Sequence, residues 1–256
     1  MSLAEEIRAC QVREGELALF WLGQAGFLLV DSLGRQLAID PYLTNCGERI
    51  RSFKRISPMM LSPEAFHPDY YITTHTHFDH FDYDAIPVIA RNGKTIFLGP
   101  ESCQQEMDKL DIDHDHRRKL CVGDTVTFPG ITITACQADH GTMAPDAIGL
   151  LVEMGGHRLY FSGDTAFHAD LCKEVAAFGP EVAALSINGA FGNMTAWEGA
   201  EAANLVGASI AIPCHFWTFT EHGGAPWVFS EFLKKIGDCE PVCMRQGEML
   251  LLAREA

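Results

Sequence analysis

The sequence has no uninterrupted apolar run near the roughly 20 residues that a membrane-spanning helix needs. Residues 1–8 contain neither the basic region nor the apolar region of a secretion signal. Cationic residues are also scarce, since 19 lysines and arginines stand against 34 aspartates and glutamates, for a net charge of −15. These absences predict a cytoplasmic protein with neither a membrane nor a nucleic acid as partner, because anionic surfaces repel an acidic chain.

The composition otherwise fits a globular protein with a sizeable core. The apolar fraction is 47% over 256 residues, and the mean hydropathy is +0.03. Nine cysteines form an odd, scattered set in a chain without an export signal, so we expect reduced, mostly buried thiols. No linker or low-complexity tract interrupts the chain, which predicts a single domain over residues 1–256.

Strand-like and helix-like segments occur in both halves of the chain. The first half begins with a predicted meander of three strands, and residues 23–26 are interpreted as its first turn because no phosphate-binding glycine pattern accompanies them. In the second half, Thr195 and Glu198 predict a capping box at the start of a helix over residues 196–206. A final hairpin is predicted from residues 241–244 and 248–252. This mixture predicts an α/β fold of two sheets covered by helices.

One stretch concentrates potential metal ligands: His75, His77, Asp79 and His80 lie within six positions, directly after a β-like run. In an extended segment side chains alternate between faces, so the first three can project to one side, and His80 then points elsewhere unless the backbone turns. Such an arrangement suits two neighbouring metal ions better than one. Imidazole is the commonest ligand of zinc-like metals, and a carboxylate adds an oxygen donor. The stretch therefore predicts a metal centre.

Three further side chains of the same chemistry follow predicted strands: His140, Asp164 and His215. With the H-x-H-x-D-H pattern of residues 75–80, their order resembles the metallo-β-lactamase superfamily. The resemblance implies a four-layer αβ/βα sandwich of two mixed β-sheets flanked by helices. It also implies two ligand sets joined by one carboxylate: His75, His77 and His140 for the first ion, Asp79, His80 and His215 for the second, and Asp164 between them.

These ligands predict two divalent ions, with Zn²⁺ favoured and Mn²⁺ or Fe²⁺ as alternatives. Three imidazoles leave an open zinc position, typical of a catalytic site, where bound water ionises near neutral pH. The predicted function is hydrolysis by metal-bound hydroxide, with Asp79 and Asp164 as catalytic carboxylates and His168 or His222 as candidate proton donors. The alternatives are a redox protein and a non-catalytic di-metal protein. Oxygen-reducing iron members of the superfamily often carry glutamate at the position of His77, which weakens the redox alternative.

The substrate is predicted to be a small anion. Periodicity is lost over residues 44–68, and this segment carries Arg49, Arg51 and Arg55, which predict either a solvated loop or a clamp for phosphate or carboxylate. Residues 21–27, 97–103 and 188–192 resemble the branch that contains L-ascorbate-6-phosphate lactonase, which implies a phosphorylated lactone or ester and self-association into a homo-oligomer. A phosphodiesterase of the same fold is the alternative. Asn188, in the loop after a predicted strand, is the predicted non-ligand contact with substrate.

Overall fold

The computed structural model describes residues 1–253. The strands are β1 (Glu16–Gly23), β2 (Gly26–Asp31), β3 (Gln36–Ile39), β4 (Tyr70–Ile72), β5 (Ile96–Gly99), β6 (Arg117–Lys119), β7 (Thr125–Phe128), β8 (Ile131–Gln137), β9 (Ile148–Met154), β10 (His157–Phe161), β11 (Val182–Ser186), β12 (Ile210–Cys214), β13 (Glu240–Pro241) and β14 (Met249–Ala253). The α-helices are α1 (Leu3–Ala9), α2 (Cys46–Arg51), α3 (Ala85–Ala90), α4 (Glu101–Lys109), α5 (Ala169–Phe178), α6 (Ala196–Val206) and α7 (Pro226–Ile236). Single 3₁₀ turns lie at Pro63–Ala65, His114–His116 and Gly141–Met143.

The described chain divides into two compact units. The first unit comprises residues 1–121 together with 245–253, and the second comprises residues 122–244. The prediction of a single domain stays a prediction. No helix of the described chain is both long enough and apolar enough to cross a bilayer.

Each unit contains one seven-stranded mixed sheet. The first sheet has the order β14-β1-β2-β3-β4-β5-β6, with antiparallel pairs as far as β3 and parallel pairs from there on. The second has the order β7-β8-β9-β10-β11-β12-β13, with antiparallel pairs as far as β10 and parallel pairs beyond it. The predicted α/β class, with two mixed sheets and accompanying helices, is therefore confirmed.

In the first unit, an apolar cluster holds the helices against the inner strands. Leu3 of α1 and Ile86 of α3 belong to the same buried cluster as Phe20, Leu28 and Tyr71 of the sheet. All eight residues of β1 are buried, as expected for a central strand covered on both faces. The sheet is thus fixed tightly up to the end of β4, where the histidine-rich segment begins.

In the second unit, strand alternation and one close helix contact position the loops. Buried Ile131, Ile133 and Ala135 of β8 alternate with partly exposed residues, so one face of that strand meets the core. A Cβ atom on Gly199 of α6 would stand only 2.7 Å from Cγ2 of Ile187, which directly follows β11. The glycine therefore lets α6 lie close beneath the loop after β11.

The predicted capping box of α6 is confirmed. Thr195 Oγ1 accepts a hydrogen bond from the Glu198 amide at 3.3 Å, and Glu198 Oε2 accepts one from the Thr195 amide at 2.8 Å. The same reciprocal pair occurs at Ser2 and Glu5 of α1, a helix that the sequence analysis did not predict. Both boxes satisfy amide groups that a helix start leaves without intrahelical partners.

Two local predictions are wrong. The segment 44–68, where periodicity was predicted to be lost, contains the six-residue helix α2. The predicted C-terminal hairpin does not form, because β13 pairs with β12 in the second sheet while β14 pairs with β1 in the first. Pairings such as Glu16 with Ala253 depend on partners far apart in the chain, which local sequence patterns do not identify.

Candidate metal centre

The histidine-rich segment of the first unit is not extended. Strand β4 ends at Ile72, and residues 74–81 form consecutive bends and turns. The His77 carbonyl accepts hydrogen bonds from the amides of His80 and Phe81, at 2.9 and 2.7 Å. The backbone turns here, so the alternation expected of an extended segment does not apply, and a tight turn sets the directions of these side chains.

The turn nevertheless gathers the imidazoles. His75 Nε2 and His77 Nδ1 lie 2.9 Å apart, and the rings of His75 and His80 have centroids 4.1 Å apart. Asp79 Oδ2 lies 4.0 Å from His80 Nε2. His75, Asp79 and His80 are buried and His77 is half-buried. All four belong to groups of side chains that could hold a metal ion.

Asp40, directly after β3, orients this turn. Its carboxylate accepts hydrogen bonds from the Thr74 amide at 2.7 Å, from Thr74 Oγ1 at 2.6 Å and from His80 Nδ1 at 2.7 Å. A histidine that donates one ring hydrogen to a carboxylate presents its other nitrogen as a ligand, and such a partner raises its basicity. Asp40 thus selects Nε2 of His80 as the ligand atom. Its φ of 45° lies in the left-handed region, a strained conformation for this residue type.

Gln24 is a residue of this site that the sequence analysis missed. Its Nε2 donates to Asp79 Oδ2 at 2.6 Å, and its backbone carbonyl accepts a hydrogen bond from Trp21 Nε1 at 3.0 Å. The side chain is wholly buried, with φ at 53°. The segment is the predicted turn between β1 and β2. A polar side chain in a short turn is usually solvated, and the sequence alone does not show that this one is buried against Asp79.

In the second unit, three strands deliver three candidate ligands. His140 follows β8, Asp164 follows β10 and His215 follows β12, and all three side chains are buried. Asp164 Oδ2 lies 3.7 Å from His140 Nε2, and Asp164 Oδ1 lies 3.2 Å from His215 Nε2. The two carboxylate oxygens therefore face two different imidazoles. Carboxylate and imidazole groups buried together in this way suit a metal site, since a buried charge needs a compensating partner.

Asn193 fixes the orientation of Asp164. Its Nδ2 donates to Asp164 Oδ2 at 2.7 Å, and the neighbouring Met194 amide donates to the Thr165 carbonyl at 3.2 Å. The loop that follows β11 is thus hydrogen-bonded to the loop that follows β10. Asn193 is a second residue of the site that the sequence analysis did not identify.

The two candidate proton donors differ in their surroundings. The ring of His222 stacks on that of His215, with centroids 4.8 Å apart and planes 21° apart, and it is 6% exposed. His168 Nε2 lies 2.7 Å from Asp139 Oδ2 on the surface. The hydrogen bond from the Gly141 amide and, to a smaller extent, the one from His168 lower the pKa of the Asp139 carboxyl. His222 is therefore the candidate in direct contact with a predicted ligand.

The three arginines predicted to bind substrate occupy different settings. Arg49 forms an ion pair with Asp84, and Arg51 is exposed. Arg55 Nη2 donates to the Tyr42 carbonyl at 2.6 Å, and its guanidinium lies 4.4 Å from the centre of the Tyr42 ring. Burial lowers the pKa of Arg55. Their contact with substrate stays a prediction.

Comparisons with known proteins agree with the ligand chemistry. Residues 37–216 match the family model described as a beta-lactamase superfamily domain. A UPF0173 metal-dependent hydrolase of Archaeoglobus fulgidus is 30% identical, covering 91% of this chain and 97% of its own. One from Rubrobacter xylanophilus is 29% identical, covering 92% and 97%. Igni18, a metallo hydrolase from Ignicoccus hospitalis, superposes with a TM-score of 0.77 at 23% identity, covering 94% of this chain and all of that one.

Proposed function

Because the chain belongs to the metallo-β-lactamase superfamily, with metal-dependent hydrolases as relatives, we propose that it is a dinuclear hydrolase of small lactones or esters. The observation that carries the proposal is Asp164, whose two oxygens face the imidazoles of His140 and His215. A carboxylate in that arrangement is suited to bridge two cations. The lactonase branch of the superfamily supplies the proposed bond type, on the sequence resemblance alone.

The proposed ligand sets are those that the superfamily resemblance implies. His75, His77 and His140 would bind the first ion, Asp79, His80 and His215 would bind the second, and Asp164 would bind both. The donors fit this role, because Asp40 already holds His80 in the required tautomer and Gln24 orients the Asp79 carboxylate. Histidine-rich ligation favours Zn²⁺, with Mn²⁺ and Fe²⁺ as alternatives.

When bound, such ions lower the pKa of water to about 7 and polarise the substrate carbonyl. The chain's own residues supply orientation: Asp79 accepts a hydrogen bond from the attacking water, and Asn193 keeps Asp164 from rotating. His222 donates a proton to the leaving oxygen. Stacking on His215 and contact with Phe219 hold its ring in one orientation.

The anionic part of the substrate is proposed to meet the arginines of segment 44–68. Arg51 is the principal candidate, since Arg49 and Arg55 already make contacts within the protein. We expect Arg51→Ala to raise KM for a phosphorylated lactone about tenfold, the effect of losing one charged hydrogen bond, and to leave KM for its dephosphorylated counterpart unchanged. Arg91→Ala, at an exposed position after α3, is the matched control. Equal KM values for the two substrates in the unaltered protein would contradict the proposed binding of the anionic group by these arginines.

The decisive experiment is a substrate panel with zinc-, manganese- and iron-loaded protein. It contains a sugar-phosphate lactone, the dephosphorylated lactone, an aryl ester and an aryl phosphodiester. The proposal expects turnover of lactone or ester. Turnover of the phosphodiester alone would establish the alternative enzyme, and two bound ions without any turnover would indicate a metal-binding protein. Metal analysis after aerobic purification identifies the ion, and sedimentation measures the proposed self-association.

A further inference from the structure

The loop after β11, residues 187–195, carries three buried amide atoms without a hydrogen-bond partner in the protein. Both side-chain polar atoms of Asn188 are of this kind, and so is Oδ1 of Asn193. Asn188 is 3% exposed and Asn193 is 7% exposed. Buried polar atoms are nearly always hydrogen-bonded, and each one left without a partner is destabilising. Three together in one loop indicate a ligand that supplies the partners.

The backbone around Asn188 is held on both sides. The Ile187 amide donates to the Cys214 carbonyl at 3.1 Å, and the Gly189 amide donates to the Met194 carbonyl at 2.9 Å. A Cβ atom on Gly223 would stand 2.9 Å from the Asn188 backbone carbonyl oxygen, so this segment packs directly on the loop. The buried Asn188 side chain therefore extends from a backbone that is held in place by its neighbours.

The same loop adjoins the proposed reaction centre of this unit. Asn193 Nδ2 is bonded to Asp164, which leaves its Oδ1 as an acceptor beside that carboxylate. Gly223 follows His222, and the ring of His222 stacks on His215. The amide atoms without partners thus lie in a loop that contacts the segments carrying Asp164 and His215.

We propose that Asn188 recognises a neutral hydroxyl or amide group next to the scissile carbonyl of the substrate, an inference that rests on the proposed function. The loop offers two acceptors, Oδ1 of Asn188 and Oδ1 of Asn193, and the donor Nδ2 of Asn188. A hydroxyl or an amide both donates and accepts, so it satisfies both kinds of atom. A phosphate dianion or a carboxylate only accepts, so it would leave both carbonyl oxygens without a partner.

The surface beside the loop also disfavours an anion at this position. Phe191 is 45% exposed, with φ at 54°, and its ring lies 5.7 Å from that of His222. Met143 is 47% exposed, and its Cε lies 3.6 Å from where a Cβ on Gly192 would stand. These apolar side chains favour a neutral substrate group beside Asn188.

The test uses three lactones with the same ring: α-hydroxy-γ-butyrolactone, its α-methoxy ether, which only accepts, and unsubstituted γ-butyrolactone. The expected kcat/KM of the metal-loaded protein is at least about tenfold higher for the hydroxy lactone than for either of the others. In Asn188→Leu that ratio falls to about one. Gln137→Leu, which removes an exposed amide in the same unit, leaves the ratio unchanged. Metal content and the unfolding midpoint of each variant check that the fold is intact.

A ratio near one in the unaltered protein, or a ratio that survives Asn188→Leu, would overturn the inference. If the metal-loaded protein hydrolyses no lactone or ester at all, the proposed function fails, and binding of the intact lactones by titration calorimetry decides the inference separately. In that case we expect the hydroxy lactone to bind at least about tenfold more tightly than γ-butyrolactone, and we expect Asn188→Leu to abolish the difference. Equal affinities would contradict it.

Discussion

The two units share a pairing pattern but deliver their candidate ligands differently. In each, three antiparallel pairs are followed by three parallel pairs. The first unit places four ligand-type side chains in one turn after β4, whereas the second takes His140, Asp164 and His215 from the ends of three strands. In open sheets with parallel strands, ligand sites gather at the carboxyl ends of those strands. The turn after β4 and the positions of Asp164 and His215 follow that rule, whereas His140 follows β8, which pairs antiparallel with both of its neighbours.

The difference lies in what holds each set in place. The contiguous turn is held by side chains, since Asp40 bonds Thr74 and His80 while Gln24 bonds Asp79. The dispersed set is held by strand register, with Ser186 opposite Cys214 and Phe161 opposite Ala184, and by the Asn193 contact. A side-chain change should therefore loosen the first set locally, whereas the second depends on the whole sheet.

The largest expected effect follows removal of Asp164, the proposed bridging carboxylate. In Asp164→Ala, both proposed ions would lose a ligand, so we expect loss of both and a fall in kcat of at least about a thousandfold, equivalent to several kcal/mol. His77→Ala, in the other unit, should likewise abolish metal binding and hydrolysis together. Metal content by mass spectrometry and steady-state kinetics measure the two effects. Retention of two tightly held ions in either variant would break the assignment.

A smaller effect is expected from the carboxylate that orients the contiguous turn. In Asp40→Asn, the side-chain carbonyl oxygen would keep the hydrogen bond from the Thr74 amide, and the side-chain NH₂ group would then face His80 Nδ1. Because an N–H group there disfavours a proton on Nδ1, the preferred tautomer of His80 is lost. We expect metal affinity to fall about 10- to 100-fold, as for other residues that orient ligands. Competition with a chromophoric chelator measures it. Asp31→Asn, which loses a buried carboxylate paired with Arg35, is the control for general destabilisation and should leave metal affinity intact.

The two capping boxes allow a comparison of local stability. Thr195→Ala removes the cap of an eleven-residue helix against which much of the second unit packs, and we expect a loss of about 1 kcal/mol. Ser2→Ala removes the cap of only the seven-residue α1 at the chain terminus, so we expect a loss of a few tenths of a kcal/mol of stability. Urea unfolding midpoints give both values. An equal loss in the two variants would show that the terminal helix is as tightly coupled as α6.

The smallest effect concerns alkaline pH in the second unit. Burial raises the pKa of Cys136 to about 12 and that of Cys172 to about 11, above the 9.0 of an unperturbed thiol. These thiols therefore stabilise the fold fully below pH 9, and their contribution is lost as pH rises through 11 and 12. Urea midpoints should fall over that range, and less steeply in Cys172→Ala. An identical slope in that variant would contradict the burial argument.

Sequence patterns predicted the elements whose signals are local. The α6 capping box and the α6 boundaries follow from residues a few positions apart, and the residue order from His75 to His215 identified the superfamily. The contacts of Gln24 with Asp79 and of Asn193 with Asp164 join positions 55 and 29 residues apart, and no periodicity encodes them. The predicted partner of strand β14 was wrong for the same reason, because its actual partner β1 lies at the other end of the chain.

The central claim is that the seven proposed ligands hold two metal ions. Anomalous diffraction from crystals of the zinc-loaded protein tests it directly. The account predicts two zinc positions, one bound by His75, His77 and His140, the other by Asp79, His80 and His215, with Asp164 bound to both. A single ion, or ions bound by other residues, would contradict it.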